Sequence, residues 1–256
     1  MNAFNNIAGD LERKGIVCSM IDIASVRSRM AADGERVYHS FLAPAELSYV
    51  KNMKIAKRRA DFICGRIAGK RAVKRLIDND RNGMPVTRER RSESVDIEIR
   101  RTRTGAPRVF FNNEPARVRV SISHSPCYAA SAACNGEEYR GIGIDLEKIE
   151  PRDTSLLAVA FSTNEISAMR ERALKSGGMD MQITRYWSMK EAVLKSMGAG
   201  LNIDLKDIEI VEKKDGNKHV ILSNEAKNRF DELSSHHVEV KDYVLSDHIL
   251  SIACLI

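Results

Sequence analysis

Apolar residues recur along this chain in two rhythms. Between Lys51 and Arg75, Ala60, Ile63 and Ile67 fall at helical spacing and Ile77 continues the row, which predicts one long amphipathic helix. Its remaining positions form a basic rim of Lys51, Lys54, Lys57, Arg58, Arg59, Arg66, Lys70, Arg71, Lys74 and Arg75, with Asp61 as the single acid. A period of two predicts strands over Val95 to Arg100, Ala116 to His124, Tyr128 to Ala133 and Arg140 to Glu147. Polar, turn-rich stretches at Asp78 to Gly83, Asn112 to Pro115 and Asn135 to Glu138 separate them. Helices are predicted at Thr163 to Lys175 and Thr184 to Met197. Strands follow at Asp207 to Glu212, His219 to Leu222, His237 to Tyr243 and His248 to Leu255. Elements in this order make an α+β protein and not a strictly alternating βαβ one.

The pattern echoes itself. In the first half, Gly15-Ile-Val-Cys-Ser-Met-Ile-Asp-Ile-Ala-Ser-Val26 reads as a strand, Phe41-Leu-Ala-Pro-Ala-Glu46-Leu47 opens a helix, and a long helix follows from about Arg58. In the second half, the run ending at Ile149 is followed by Phe161-Ser-Thr-Asn-Glu165-Ile166 and a long helix from about Arg185. Phe41 lies 19 residues beyond Asp22, and Phe161 lies 16 beyond Asp145. Two copies of a strand, helix, helix unit would pack as a pseudo-dimer with a cleft between them. The expected subdomains are 1–138 and 139–256.

With 256 residues, 43% of them hydrophobic and 30% charged, the chain is long enough for one large or two modest cores. A disordered tail and a collagen-like fibre are excluded, and an aromatic content of 5% argues against a sandwich rich in Tyr and Trp. No apolar run approaches the roughly 18 residues of a membrane helix, and the N-terminus lacks the layout of a signal peptide, so a cytoplasmic location is expected. The five cysteines, widely spread and without a C-x-x-C pair, suggest neither a disulfide framework nor a zinc ribbon. A net charge of +6 favours acidic partners: nucleic acid, phosphorylated small molecules or an acidic protein.

Gly141-Ile-Gly143-Ile144-Asp145-Leu146-Glu147 alternates as a strand, so Asp145 and Glu147 share one face while Ile144 and Leu146 enter the core. Residues two apart on a strand are roughly 6.5 to 7 Å apart at Cα, close enough for both carboxylates to hold one hard cation. Oxygen ligands without His or Cys nearby suit Mg²⁺ or Mn²⁺. The plainer alternative is the solvated face of an edge strand. On the later helix Glu191 and Lys195 are one turn apart, and Tyr186, Met189, Val193 and Met197 form its buried stripe. There the alternatives are a surface Glu/Lys pair worth ~0.3 kcal/mol and a capping box from Ser188 to Glu191. Ser162 and Glu165, by contrast, form a capping box with no functional role.

In Val120-Ser121-Ile122-Ser123-His124-Ser125, strand neighbours face opposite ways, so neither Ser123 nor Ser125 can partner His124 as a hydrolase nucleophile, and no G-x-S-x-G elbow exists. His124 suits a phosphate contact or a structural role. Gly65 to Arg71 fails as a phosphate loop, with three residues between its glycines and no Ser or Thr, and Gly141-x-Gly143 lacks the third glycine of a dinucleotide fingerprint.

Taken in order, Ser-Ile-Ser-His-Ser (121–125), Gly-Ile-Gly-Ile-Asp-Leu-Glu (141–147), Phe-Ser-Thr-Asn-Glu (161–165), Tyr-Trp-Ser-Met-Lys-Glu-Ala-Val-Leu-Lys (186–195) and Gly-Ala-Gly-Leu (198–201) resemble the 4′-phosphopantetheinyl transferases. The long, pseudo-dimeric type that activates peptide synthetases and carrier proteins is the nearer match, and the trimeric short type the more distant one. The resemblance implies two similar α/β subdomains related by a pseudo-twofold. It implies transfer of the phosphopantetheine arm of coenzyme A to a serine of an acidic apo acyl or peptidyl carrier protein, releasing adenosine 3′,5′-bisphosphate.

Carried over by position, Asp145, Glu147 and Glu191 would hold Mg²⁺ or Mn²⁺. Asp145, Glu191 and Lys195 would be catalytic, with Glu191 accepting the serine proton and Lys195 meeting the departing phosphate. Ser123 and His124 would bind the adenosine-phosphate end of coenzyme A, with Arg59 and Arg66 clamping the 3′-phosphate and Lys195 contacting the coenzyme as well. The chain departs from the family where many members carry Gly-Lys-Pro: Ala106 stands at the middle position, so either Arg101, Arg103 or Arg108 compensates or the affinity for coenzyme A is lower. Pro126 stands where Gly is frequent. The expected protein is a cytoplasmic monomer without nucleic-acid or membrane partners. The rival reading, a metal-dependent nuclease or nucleotidyl transferase gripping nucleic acid with the 51–75 helix, lacks interleaved aromatics for stacking bases.

Overall fold

Two lengths of chain build separate cores, unit 1 over Met1–Glu138 and unit 2 over Tyr139–Ile256. The computed structural model describes residues 2–79, 96–153, 155–198, 203–213, 218–229 and 237–256. Part of the turn expected at Asp78 to Gly83 and most of the Gly-Ala-Gly-Leu segment (198–201) lie outside the described residues.

Unit 1 runs through α1 (Asn2–Glu12), β1 (Ile16–Asp22), α2 (Ile23–Asp33), a 3₁₀ stretch (Glu35–Phe41), α3 (Pro44–Lys51) and α4 (Ala56–Asn79). It continues with β2 (Ile97–Arg101), β3 (Pro107–Phe111), β4 (Glu114–Pro115), β5 (Val118–His124) and β6 (Tyr128–Asn135). One antiparallel sheet has the order β1-β6-β5 and a second the order β2-β3-β4. Helix α4 packs across β1, β6, β5 and β2.

Unit 2 holds β7 (Gly141–Lys148), α5 (Ser155–Ala160), α6 (Thr163–Lys175), α7 (Gly178–Ser196), β8 (Ile208–Glu212), β9 (Lys218–Leu222), α8 (Asn224–Arg229), β10 (Val238–Leu245) and β11 (His248–Leu255). Its five antiparallel strands have the order β7-β11-β10-β9-β8, and α7 lies over them. The α+β class follows from these all-antiparallel sheets, each with one long helix on a face.

The echo in the sequence corresponds to a repeated order of elements. Each unit has a first strand, a short helix, a long helix, and closing strands of which the last (β6, β11) pairs with the first (β1, β7). The two units also share a buried ionic device. In unit 1 the Glu46 carboxylate accepts from Ala43 N at 2.8 Å, which ties off the start of α3, and from Ile99 N of β2 at 3.0 Å. The Lys70 ammonium of α4 sits 2.5 Å from it. In unit 2 Glu165 accepts from Ser162 N at 2.8 Å and from Ile210 N of β8 at 2.8 Å, with the Lys190 ammonium of α7 at 2.7 Å. One carboxylate thus caps a helix, anchors a strand and neutralises a lysine of the long helix. Burial pushes both lysines down from their ordinary pKa, and the paired glutamate opposes that shift.

The structure corrects several expectations. The first strand stops at Asp22 and not near Val26, because the Asp22 carboxylate accepts from Ala24 N and Ser25 N and starts α2. Helices α1 and α2 and strands β3 and β4 were not expected, and α7 begins at Gly178, a turn and a half before Thr184. The basic rim of α4 is only partly a rim: Arg66 and Lys70 are buried. No disulfide joins the five cysteines.

Candidate active site

In unit 2 the site is set by how closely α7 approaches β7. Gly141 and Gly143 face the helix: a Cβ on Gly143 would lie 1.8 Å from Ala192 O and 2.6 Å from Ser196 N, and one on Gly141 would lie 1.8 Å from Ser196 O. No side chain fits there, so the two glycines let helix and strand meet backbone to backbone. This is the work of the G-x-G pair, which is not a nucleotide loop. Strand alternation then places Asp145 and Glu147 on the same helix-facing side, while Ile144 and Leu146 are buried on the other.

The Lys195 ammonium donates to Asp145 Oδ1 at 2.6 Å and to Ile144 O at 3.2 Å. Asp145 is 3% exposed, so it does not sit on a solvated face, although β7 is an edge strand of its sheet. Ser188 is buried in mid-helix and its hydroxyl donates to Asp145 O at 3.4 Å, which removes the capping-box reading of Ser188 and Glu191. Tyr186, Met189 and Val193 are buried as expected.

Three acids share this neighbourhood. Burial and then the Asp145 charge push the Glu147 carboxyl above its ordinary pKa, while Arg152 at 2.7 Å and the Trp187 indole oppose the shift. Burial pushes Glu191 up as well. Asp145 and Glu147 add to that, and Lys195 counters it. The Asp145 charge raises both glutamates, and a divalent cation among the three acids would relieve that repulsion; their oxygens suit a hard ion such as Mg²⁺. Among the described residues, no three His, Cys, Asp or Glu side chains already stand as a ready-made metal cluster. Lys195 and Arg152 serve instead as the counter-ions of Asp145 and Glu147. The donors therefore fit a metal in chemistry, with two cations at their side. Arg152 and Trp187 were missed as partners of Glu147. A basic residue five positions beyond the second acid was the available signal for Arg152.

Of the residues expected to hold coenzyme A, Lys195 belongs to unit 2 and the other four are spread through unit 1. His124 is exposed at the end of β5, against the side of α4: its Nε2 is 2.8 Å from Asp61 O, and a Cβ on Gly65 would come within 2.5 Å of its ring. Ile122 meets the same helix face, so Ser123 points to the opposite side of β5 and is buried. Arg59 is held by Glu35 at 2.9 Å and by Met53 O at 2.8 Å. Arg66 is 6% exposed, lies 3.4 Å from Glu46, and stacks with its guanidinium carbon 4.3 Å from the Phe62 ring centre. Both arginines are thus paired with carboxylates of their own unit.

A family model described as the 4′-phosphopantetheinyl transferase superfamily matches residues 141–253. The chain is 33% identical over 107 residues to a holo-[acyl-carrier-protein] synthase of Alkaliphilus oremlandii, covering 39% of this chain and 82% of that one. It is 30% identical over 108 residues to a 4′-phosphopantetheinyl transferase of Bacillus subtilis, covering 41% and 44%. The match thus spans under half the length of that longer relative. A solved holo-(acyl-carrier-protein) synthase of Bacillus anthracis, in complex with coenzyme A (3′,5′-ADP), aligns with 47% of this chain and 94% of that one at 24% identity and a TM-score of 0.36.

Proposed function

Since this chain belongs to the 4′-phosphopantetheinyl transferase superfamily, we propose that it transfers the phosphopantetheine arm of coenzyme A to a serine of an apo acyl or peptidyl carrier protein. The serine oxygen forms a bond to the phosphorus that bears the pantetheine arm. The pyrophosphate P–O bond breaks, and adenosine 3′,5′-bisphosphate leaves with the electron pair. The observation that carries this reading is the half-buried Glu191, raised above its ordinary pKa beside Asp145 and Lys195.

A carboxylate whose pKa is raised holds a proton more firmly, and Glu191 accepts the proton of the attacking serine. Lys195, part-exposed on Asp145, moves to the leaving phosphate and offsets the charge that grows there. Asp145, Glu147 and Glu191 would hold Mg²⁺ or Mn²⁺, which supplies further neutralisation of phosphate charge. Arg152 and Trp187 keep Glu147 oriented. His124 contacts the adenosine-phosphate end of coenzyme A, whereas the Ser123 side chain is buried on the opposite face of β5 and does not share that contact. Arg59 and Arg66, which pair with Glu35 and Glu46, clamp the 3′-phosphate of the coenzyme.

The chain acts as a cytoplasmic monomer on an acidic carrier, drawn by the net charge of +6 in a salt-dependent way. Among the described residues, no helix is long and apolar enough to cross a membrane. Incubation with coenzyme A, Mg²⁺ and an apo carrier protein, read by intact mass, tests the proposal. Addition of one phosphopantetheine to the carrier serine is expected. No addition across acyl and peptidyl carriers would overturn it.

A further inference from the structure

Unit 2 lays one polar row across three strands beneath α7. Asp145 of β7, Ser251 of β11 and Asp242 of β10 are direct cross-strand neighbours, so strand alternation puts all three on the same, helix-facing side of the sheet. The next row on that side is Gly143, Ala253 and Val240, without a polar side chain. Helix α7 answers the polar row: Arg185 donates to Asp242 Oδ2 at 2.6 Å, and Lys195 donates to Asp145 Oδ1 at 2.6 Å. Lys218 of β9 places a second cation 2.7 Å from Asp242. Both carboxylates are met by cations, and the serine between them is not answered in the same way. Ser251 is fully buried, and its hydroxyl has no hydrogen-bond partner among the described residues.

A hydroxyl taken out of water with nothing to bond destabilises the fold, and alanine would fill the same place without that cost. Unit 1 shows how a buried strand serine is ordinarily satisfied: Ser131, on the middle strand β6 of its sheet, donates from its hydroxyl to Ser121 O at 2.8 Å. The unused donor of Ser251 points to a second arrangement of the site in which it is needed. Directly opposed residues of antiparallel strands have Cβ atoms about 4.5 to 5.5 Å apart, a gap that a hydroxyl and a carboxylate span with one hydrogen bond. Serine redirects its hydroxyl by turning about χ1 between staggered wells. Asp242 gains little from such a bond, since Arg185 and Lys218 stay on it. Asp145 differs, because its cation Lys195 is part-exposed and is the residue that moves to the leaving phosphate in the proposed reaction. When that ammonium leaves, a buried carboxylate loses a charged partner and a new donor becomes favourable.

We propose that Ser251 is a positioning residue for Asp145: its hydroxyl donates to that carboxylate once Lys195 has moved away, and holds it towards the divalent ion. The role rests on the reading of Asp145 as a metal ligand. Mn²⁺ paramagnetic resonance and thermal unfolding of the full chain test it together. Ser251→Ala should bind Mn²⁺ about tenfold or more weakly than the unaltered chain. In chelator its melting temperature should be equal or higher, since the substitution removes a buried hydroxyl that has no partner there. Ser131→Ala should do the reverse, lowering the melting temperature and leaving the Mn²⁺ affinity unchanged. An unchanged Mn²⁺ affinity in Ser251→Ala, with Glu191→Gln still weakening it, would overturn the role of Ser251 and leave the metal site standing. A melting temperature in chelator lowered by Ser251→Ala as far as by Ser131→Ala would overturn it as well, because the hydroxyl would then belong to the fold. No saturable ion on the unaltered chain would overturn both the role and the metal site.

Discussion

Units 1 and 2 use the same frame at the same places and differ one residue away. Lys70 and Lys190 both lie buried on a glutamate that caps the preceding helix. The next residue is Arg71 in one unit and Glu191 in the other, and five positions beyond the lysine stand Arg75 and Lys195. Arg75 pairs with Glu12 on the surface, whereas Lys195 pairs with the buried Asp145. The first strands diverge in the same way: Asp22 caps α2 while Asp145 lies beneath α7. Close packing is achieved from opposite sides, by Gly65 and Gly69 on the helix of unit 1 and by Gly141 and Gly143 on the strand of unit 2. In unit 1 the closely packed neighbours are side chains, and in unit 2 they are backbone. What the two units share holds the fold, and what they do not share sets the acids and the lysine of unit 2 side by side.

The largest contrast is expected in turnover. Glu191→Gln should lower carrier modification by about 10² to 10⁴-fold with the fold retained by circular dichroism, while Arg71→Gln at the matching position should leave it within about twofold. Equal losses in both variants would erase the distinction between the units. Next comes packing. Gly143→Ala forces a methyl into the Ala192 carbonyl and should cost about 4 kcal/mol or more in denaturant unfolding. Gly65→Ala meets only the movable His124 ring and Ile122 and should cost about 1 to 3 kcal/mol. The buried pairs follow: Glu165→Gln strands the Lys190 ammonium and should cost about 3 kcal/mol.

The smallest effect is one of pH. Glu147 and Glu191 have folded pKa values above the ordinary 4.5, so the folded state holds their protons more tightly than the unfolded chain does. Their contribution to stability is complete below pH 4.5 and is lost as pH rises through the raised values. In chelator the melting temperature should therefore fall over that interval. Mg²⁺ should restore it, and Glu191→Gln should flatten the dependence.

Much of this was legible in the sequence where the signal is local. The start of α6 follows from the Ser162 and Glu165 capping box, and the span of β11 from a mostly apolar run interrupted only by Ser251. The shared face of Asp145 and Glu147 follows from strand alternation alone. The rest depends on contacts between distant residues. Arg66 and Lys70 read as solvated because the one acid of that stretch, Asp61, is not one turn from either of them, and their partner Glu46 arrives from another helix. The meaning of Gly141 and Gly143 appears only once α7 lies on them. Arg59 and Arg66 are suitable phosphate ligands by residue type, and the carboxylates that pair with them, Glu35 and Glu46, are ones the sequence does not bring near.

The difference between the units is tested most directly by counting divalent ions on the full chain with Mn²⁺ paramagnetic resonance. One saturable ion per chain is predicted, bound at least tenfold more weakly in Glu191→Gln and unchanged in Asp22→Asn. No saturable ion, or one whose affinity survives Glu191→Gln, would contradict the assignment of the metal chemistry to unit 2.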